Sequence, residues 1–98
     1  MSIALDAEQH QIVKDVLSEH LPPGFSVWVF GSRAKTSYRP YSDLDLAFKG
    51  DESLTLSQLA DFQDAFSESD LPFKVDAADW RSASPHMQAV IDRDGVAL

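Results

Sequence analysis

Three aspartates are spaced so that their carboxylates could bind a divalent cation together. Asp43 and Asp45 are separated by one residue in a segment that alternates polar and apolar side chains. Two acids at positions i and i+2 of a strand project from the same face, and a cation between them relieves their mutual repulsion. Asp76 comes later, in a second strand-like segment where it shares one face with Lys74. The pattern predicts a metal site built from Asp43, Asp45 and Asp76.

A candidate phosphate-binding turn precedes the first pair of acids. Gly31 and Ser32 end an apolar segment, and ten residues separate them from Asp43. If a short helix begins here, its free backbone N–H groups favour an anion, and glycine lets a phosphate approach closely. Arg33 either adds a charge-assisted contact to that phosphate or lies on the surface of the short helix.

These parts together are typical of phosphoryl-type transfer, which requires positioning and charge neutralisation more than covalent chemistry. Asp43 and Asp45 are expected to bind two Mg²⁺ ions. Asp76 is expected to hold one of those ions and to help deprotonate the acceptor. Gly31, Ser32 and Arg33 are then the expected nucleotide-binding residues for a nucleoside triphosphate.

The elements that must position these residues follow from capping boxes, apolar periodicity and proline. Three main helices are expected: Ala7 to about His20, Thr55 (N-cap) to about Ser69, and a last helix opened by Ser84 and Pro85 and capped by Gly95. Three strands are expected at Phe25–Phe30, Asp43–Phe48 and Phe73–Asp79, with a short helix around Arg33 to Thr36. Helices interleaved with strands predict an α/β (α+β) fold with a small mixed sheet of three or more strands flanked by helices.

Composition narrows the classes of partner. Sixteen acidic against eight basic residues give the 98-residue chain a net charge of −8, which repels a phosphate backbone at long range. Long nucleic acid is therefore not an expected partner. No apolar run approaches the roughly 20 residues that cross a bilayer, so no membrane association is expected. The chain contains no cysteine and begins without a signal-like segment, and the cytoplasm is the expected location.

The motifs resemble a known family. The runs Val29-Phe-Gly-Ser-Arg-Ala34, Ser42-Asp-Leu-Asp-Leu46 and Lys74-Val-Asp-Ala-Ala-Asp-Trp80 are similar to those of the MNT branch of the DNA polymerase beta-like nucleotidyltransferases. The resemblance covers nearly the whole chain and implies a single minimal nucleotidyltransferase domain over residues 1–98. The family often has a second arginine and a glycine after this Gly-Ser-Arg-Ala run, where the present chain has Lys35 and Thr36.

The resemblance also implies a biological role. MNT proteins are paired with HEPN-domain toxins as antitoxins, and the implied reaction is transfer of AMP from ATP to a hydroxyl, a tyrosine, of that toxin. The chain has no additional helical domain to bind an acceptor, so a partner protein is expected to supply that surface. Two alternatives stay open: a small-molecule, aminoglycoside-like nucleotidyltransferase, and a binding-only antitoxin without turnover.

Three further residues have competing interpretations. Asp79 is the rival third acid, but an offset of three from Asp76 turns it to the opposite strand face, so a structural role is expected. Trp28 and Trp80 lie in or beside apolar strands, where packing in the core is favoured over base stacking.

Overall fold

The computed structural model describes residues 3–35, 39 and 42–98. Its helices are α1 (Ala7–His20), α2 (Leu56–Glu68) and α3 (Pro85–Asp94), and its strands are β1 (Ser26–Phe30), β2 (Leu44–Lys49), β3 (Val75–Asp79) and β4 (Val96–Ala97). Two short 3₁₀ helices follow strands directly, at Gly31–Ala34 after β1 and at Trp80–Ser82 after β3.

Local side-chain hydrogen bonds determine where the three helices begin. Asp6 and Gln9 form a reciprocal capping box at the start of α1, and Thr55 and Gln58 form another at the start of α2. Ser84 caps α3 by accepting from the backbone N–H of Met87. These side chains satisfy N–H groups that the first helical turn leaves without partners. The three predicted helices are confirmed within one or two residues.

The four strands form one mixed sheet in the order β3-β2-β1-β4. β1 pairs with β2 and with β4 in antiparallel fashion, whereas β2 and β3 run parallel. A parallel pair needs a long crossover, and α2 supplies it. The predicted α/β (α+β) class with a small mixed sheet is confirmed, although β4 was not predicted.

The two faces of the sheet carry different cores. One face packs against α1 and α2 through a large apolar cluster that includes Val13, Phe62 and Phe66. The other face carries a smaller cluster of Phe30, Ala47 and Ile91, through which α3 packs on the sheet. Because strand side chains alternate, Asp45 shares the α3 side of β2 with Ala47. The acids therefore lie on the less covered side of the sheet.

Trp28 and Trp80 pack against the smaller cluster and are both partly buried. Their predicted packing role is confirmed, on the α3 side of the sheet rather than in the main core. In the described part of the chain, no helix has the length and apolarity that crossing a membrane requires.

Candidate functional site

Asp45 and Asp76 face each other across two parallel strands. They are register partners in the β2–β3 pair, as are Leu44 and Val75. Parallel register partners point their side chains to the same side of the sheet, so the two carboxylates lie next to each other. Asp43 precedes β2, and its side chain is exposed. The structure thus brings Asp76 beside Asp45, one acid of the predicted Asp43–Asp45 pair.

The electrostatics of Asp45 show how closely the acids interact. Burial first, and then the negative charges of Asp76 and Asp43, raise the pKa of Asp45 from 3.8 to about 6. A carboxyl among like charges resists ionisation, and a cation at that place would remove the penalty. A cation beside the half-buried Asp45 would therefore favour its ionised form.

The donor set suits Mg²⁺. Carboxylate oxygens are the hard ligands that this ion prefers, and Mg²⁺ is usually held by one or two carboxylates together with substrate phosphates. No three acidic or histidine side chains of the described residues already converge into a cage for a metal. Two neighbouring acids and a more exposed third suit a site that substrate phosphates help to complete.

Gly31 lies against the Asp45 carboxylate, which leaves little room for a larger side chain at this position. Phe30 is the register partner of Asp45, so the chain leaves β1 beside that carboxylate. Gly31 has a φ of +73°, and a Cβ built on it would collide with the Asp45 carboxylate, lying 3.2 Å from its Cγ. From the sequence, this glycine was expected only to let a phosphate approach closely. The structure adds a left-handed backbone and a closely placed acid.

The predicted short helix is a single 3₁₀ turn, Gly31–Ala34, and begins two residues earlier than expected. The predicted end at Thr36 lies outside the described residues. A helix this short contributes backbone N–H groups but little macrodipole. Any phosphate contact of Gly31 and Ser32 therefore depends on local donors.

Arg33 points into the protein. Its side chain is buried, its Nε donates to the carbonyl of Ser42 at 2.9 Å and its Nη1 donates to the carbonyl of Ala4 at 2.6 Å. The guanidinium also stacks on Phe73, 3.9 Å from the ring centroid. The alternative that Arg33 lies on the surface is wrong. These contacts place its head group on backbone carbonyls and tie the Gly-Ser turn to the residue immediately before Asp43.

Two lysines beside the site already have acidic partners. Lys35 Nζ lies 3.3 Å from Asp94 at the end of α3, and Lys74 Nζ lies 3.4 Å from Asp76. Neither lysine was predicted from the sequence to pair with an acid at this site. The signal for Lys74 was present in the strand alternation, which places it two residues from Asp76 on the same face.

Asp79 lies away from the other acids. It is buried on the opposite face of β3 and accepts a hydrogen bond from Ser82 Oγ at 2.8 Å. Its Oδ1 is buried without a hydrogen-bond partner. Its predicted exclusion from the acid cluster is confirmed.

Comparison with known proteins supports the interpretation of this chain as a nucleotidyltransferase. Residues 11–98 match the family model described as polymerase beta, nucleotidyltransferase. The chain is 42% identical over 87 residues to the "Probable protein adenylyltransferase MntA" of Haemophilus influenzae, a match that covers 89% of this chain and 75% of that protein.

Solved structures show the same fold. A toxin–antitoxin crystal structure with AMP-PNP superposes with a TM-score of 0.74 at 25% identity, over 89% of this chain and 69% of the other. A structure of a tri-AMPylated Shewanella oneidensis HEPN toxin in complex with MNT antitoxin gives a TM-score of 0.67 at 24% identity, over 90% and 66%. The resemblance inferred from the Gly-Ser and Asp-Leu-Asp motifs is confirmed, and the chain belongs to the polymerase beta nucleotidyltransferase family.

Proposed function

We propose that this protein transfers AMP from ATP to a tyrosine hydroxyl of a HEPN-domain toxin and acts in this way as the antitoxin. The observation that carries the proposal is the pairing of Asp45 with Asp76 across β2 and β3, beside Gly31. The similarity to a protein named as an adenylyltransferase supports the reaction. The similarity to toxin–antitoxin structures, one of them with AMP-PNP, supports the partner class and the nucleotide.

The reaction exchanges one phosphorus–oxygen bond for another. The acceptor hydroxyl oxygen bonds to the α-phosphorus of ATP, the bond from the α-phosphorus to the bridging oxygen breaks, and pyrophosphate leaves. The hydroxyl proton is lost as the new bond forms, and the Asp76 carboxylate is the base proposed to help remove it. In-line positioning and charge neutralisation supply most of the rate enhancement in such reactions.

The three acids and the Gly-Ser turn divide this work. Asp43 and Asp45 would hold two Mg²⁺ ions, and Asp76 would help to hold one of them. When bound, these ions neutralise the phosphates and lower the pKa of the attacking hydroxyl. Gly31 and Ser32 would bind the triphosphate through local donors. Arg33 acts as a positioning residue, because its contacts hold the backbone that carries Asp43.

The test is a labelling assay with the whole protein. The protein, α-labelled ATP, Mg²⁺ and the partner HEPN-domain toxin are incubated, and the labelled product is identified. We expect label on a tyrosine of the HEPN protein and its loss in Asp45→Asn. Asp61→Asn, which removes the same charge from an exposed position of α2, is the matched control and should label normally.

Other outcomes would favour the alternatives. Neutralisation of the toxin with no label on it would support a binding-only antitoxin. Label found only on small hydroxyl compounds would support a small-molecule nucleotidyltransferase. Either result would contradict the proposed reaction.

A further inference from the structure

Four charged side chains occupy adjacent positions on the α3 side of β2 and β3. Asp45 is the register partner of Asp76. Continuing the same register by one residue places Asp43 opposite Lys74, and the backbone N–H of Leu44 donates to the carbonyl of Lys74 at 2.9 Å. Since side chains two residues apart share a strand face, three acids and one lysine form a four-membered group.

Lys74 partly neutralises this group. Its Nζ lies 3.4 Å from Oδ1 of Asp76, and the proposed function assigns the Asp76 carboxylate to a cation. Both side chains are substantially exposed, 68% for Lys74 and 44% for Asp76. Exposed ion pairs contribute little to stability, so such a pair opens readily. The contact is therefore suited to exchange rather than to holding the fold together.

We propose that Lys74 is an exchangeable counter-ion of the site. It holds Asp76 while no cation is bound, and it moves to a phosphate oxygen of the nucleotide when the nucleotide arrives with its divalent cation. The ammonium group on its long side chain can make this change without backbone movement. Lys74 is thus a positioning residue for the triphosphate. This inference rests on the proposed function, because it requires that Asp76 and the nucleotide meet at this site.

The exchange predicts effects of opposite sign for two ligands. Without Lys74, a divalent cation alone meets no competing ammonium and should bind about threefold to tenfold more tightly. A nucleotide loses one charge-assisted contact and should bind about threefold to tenfold more weakly. A lysine that only supported the structure would weaken both ligands together.

The experiment is calorimetric titration of the full chain with two probes. The first is Mn²⁺ alone, and the second is α,β-methylene-ATP with Mg²⁺, which cannot undergo cleavage at the α-phosphorus. The variants are Lys74→Gln, Lys74→Arg and Lys14→Gln, the last removing the same charge from an exposed position of α1. Far-UV circular dichroism checks that each variant is folded.

We expect tighter Mn²⁺ binding and weaker nucleotide binding in Lys74→Gln, values near wild type in Lys74→Arg, and changes below about twofold in Lys14→Gln. Any other pair of signs in Lys74→Gln overturns the inference while leaving the proposed function intact, provided that the wild type binds both probes. Failure of the wild type to bind α,β-methylene-ATP with Mg²⁺ would overturn the proposed function and this inference with it. Failure to bind Mn²⁺ alone would overturn only this inference, because substrate phosphates are expected to help complete the metal site.

Discussion

At the scale of single residues, we propose that the Asp45 carboxylate binds a metal ion, and its ionisation destabilises the metal-free folded protein. Its pKa is raised to about 6 in the folded protein by burial and by Asp76 and Asp43, whereas an unfolded aspartate ionises near pH 4. The folded state therefore binds this proton more tightly than the unfolded state. The cost to stability is absent below about pH 4, grows between about pH 4 and 6, and is complete above pH 6.

Asp45→Asn should therefore stabilise the metal-free protein at pH 8. We expect a gain in the free energy of unfolding of about 1–2 kcal/mol, discounted because the side chain is only half-buried. The gain should disappear toward pH 4. Urea unfolding in EDTA across this pH range measures it, with Asp61→Asn as a control whose effect should not depend on pH in this way. A variant less stable than wild type at pH 8 would mean that the Asp45 carboxylate is stabilising.

Gly31 offers a second prediction at this scale. Gly31→Ala forces a side chain into a left-handed backbone and against Asp45, and should lower the free energy of unfolding by about 1–3 kcal/mol. Gly24→Ala is a matched control, because Gly24 also has a positive φ, +88°, but has nothing within 4 Å of its added Cβ.

Urea unfolding of the two glycine variants separates backbone strain from the contact with Asp45. Gly31→Ala should be the more destabilising variant, and combining it with Asp45→Ala should recover part of the difference. Equal losses in the two single variants would mean that the contact with Asp45 is unimportant.

At the scale of elements, Arg33 connects the first 3₁₀ turn to two other segments. Arg33→Lys keeps the charge but cannot reproduce the two donations to Ser42 and Ala4. We expect a loss of about 1–3 kcal/mol in the free energy of unfolding, because two partly buried carbonyls lose charged donors. Urea denaturation of the metal-free protein measures it. Unchanged stability with weaker ATP binding would instead support the direct phosphate contact of Arg33 predicted from the sequence.

Lys49, at the end of β2, links α3 to the sheet through an ion pair and two cation–π contacts. Its Nζ lies 2.6 Å from Asp92 of α3 and within 5.1 Å and 5.3 Å of the ring centroids of Trp28 and Trp80. Lys49→Met should cost about 1 kcal/mol and alter the tryptophan fluorescence of the folded protein. Lys14→Met, on the exposed side of α1, is the control. A native emission spectrum identical to that of wild type would contradict the arrangement.

At the scale of the whole molecule, the two faces of the sheet allow a test of cooperativity. Both tryptophans report on the α3 side, whereas α1 and α2 on the other side contribute most of the helical circular dichroism. We propose that residues 1–98 act as one domain, so that fluorescence and circular dichroism should follow the same single urea transition. Two separated transitions would show that α3 and its small cluster unfold independently.

The parts predictable from the sequence are those encoded within a few residues. Asp6 with Gln9 and Thr55 with Gln58 identified the helix starts, because a capping box acts over three positions. Strand alternation placed Asp43 with Asp45 and turned Asp79 away from Asp76, because side chains reverse at each residue. The motif combination was specific enough to identify the family.

The remaining features depend on contacts between distant segments. β4 is two residues long, so it has almost no pattern of its own, and only its pairing with β1 makes it a strand. The opposition of Asp45 and Asp76 depends on the β2–β3 register, and the inward course of Arg33 depends on carbonyls at residues 4 and 42. Local sequence determined which acids could share a face. Tertiary pairing decided which of them meet, because register and burial arise only when the packed elements select one arrangement.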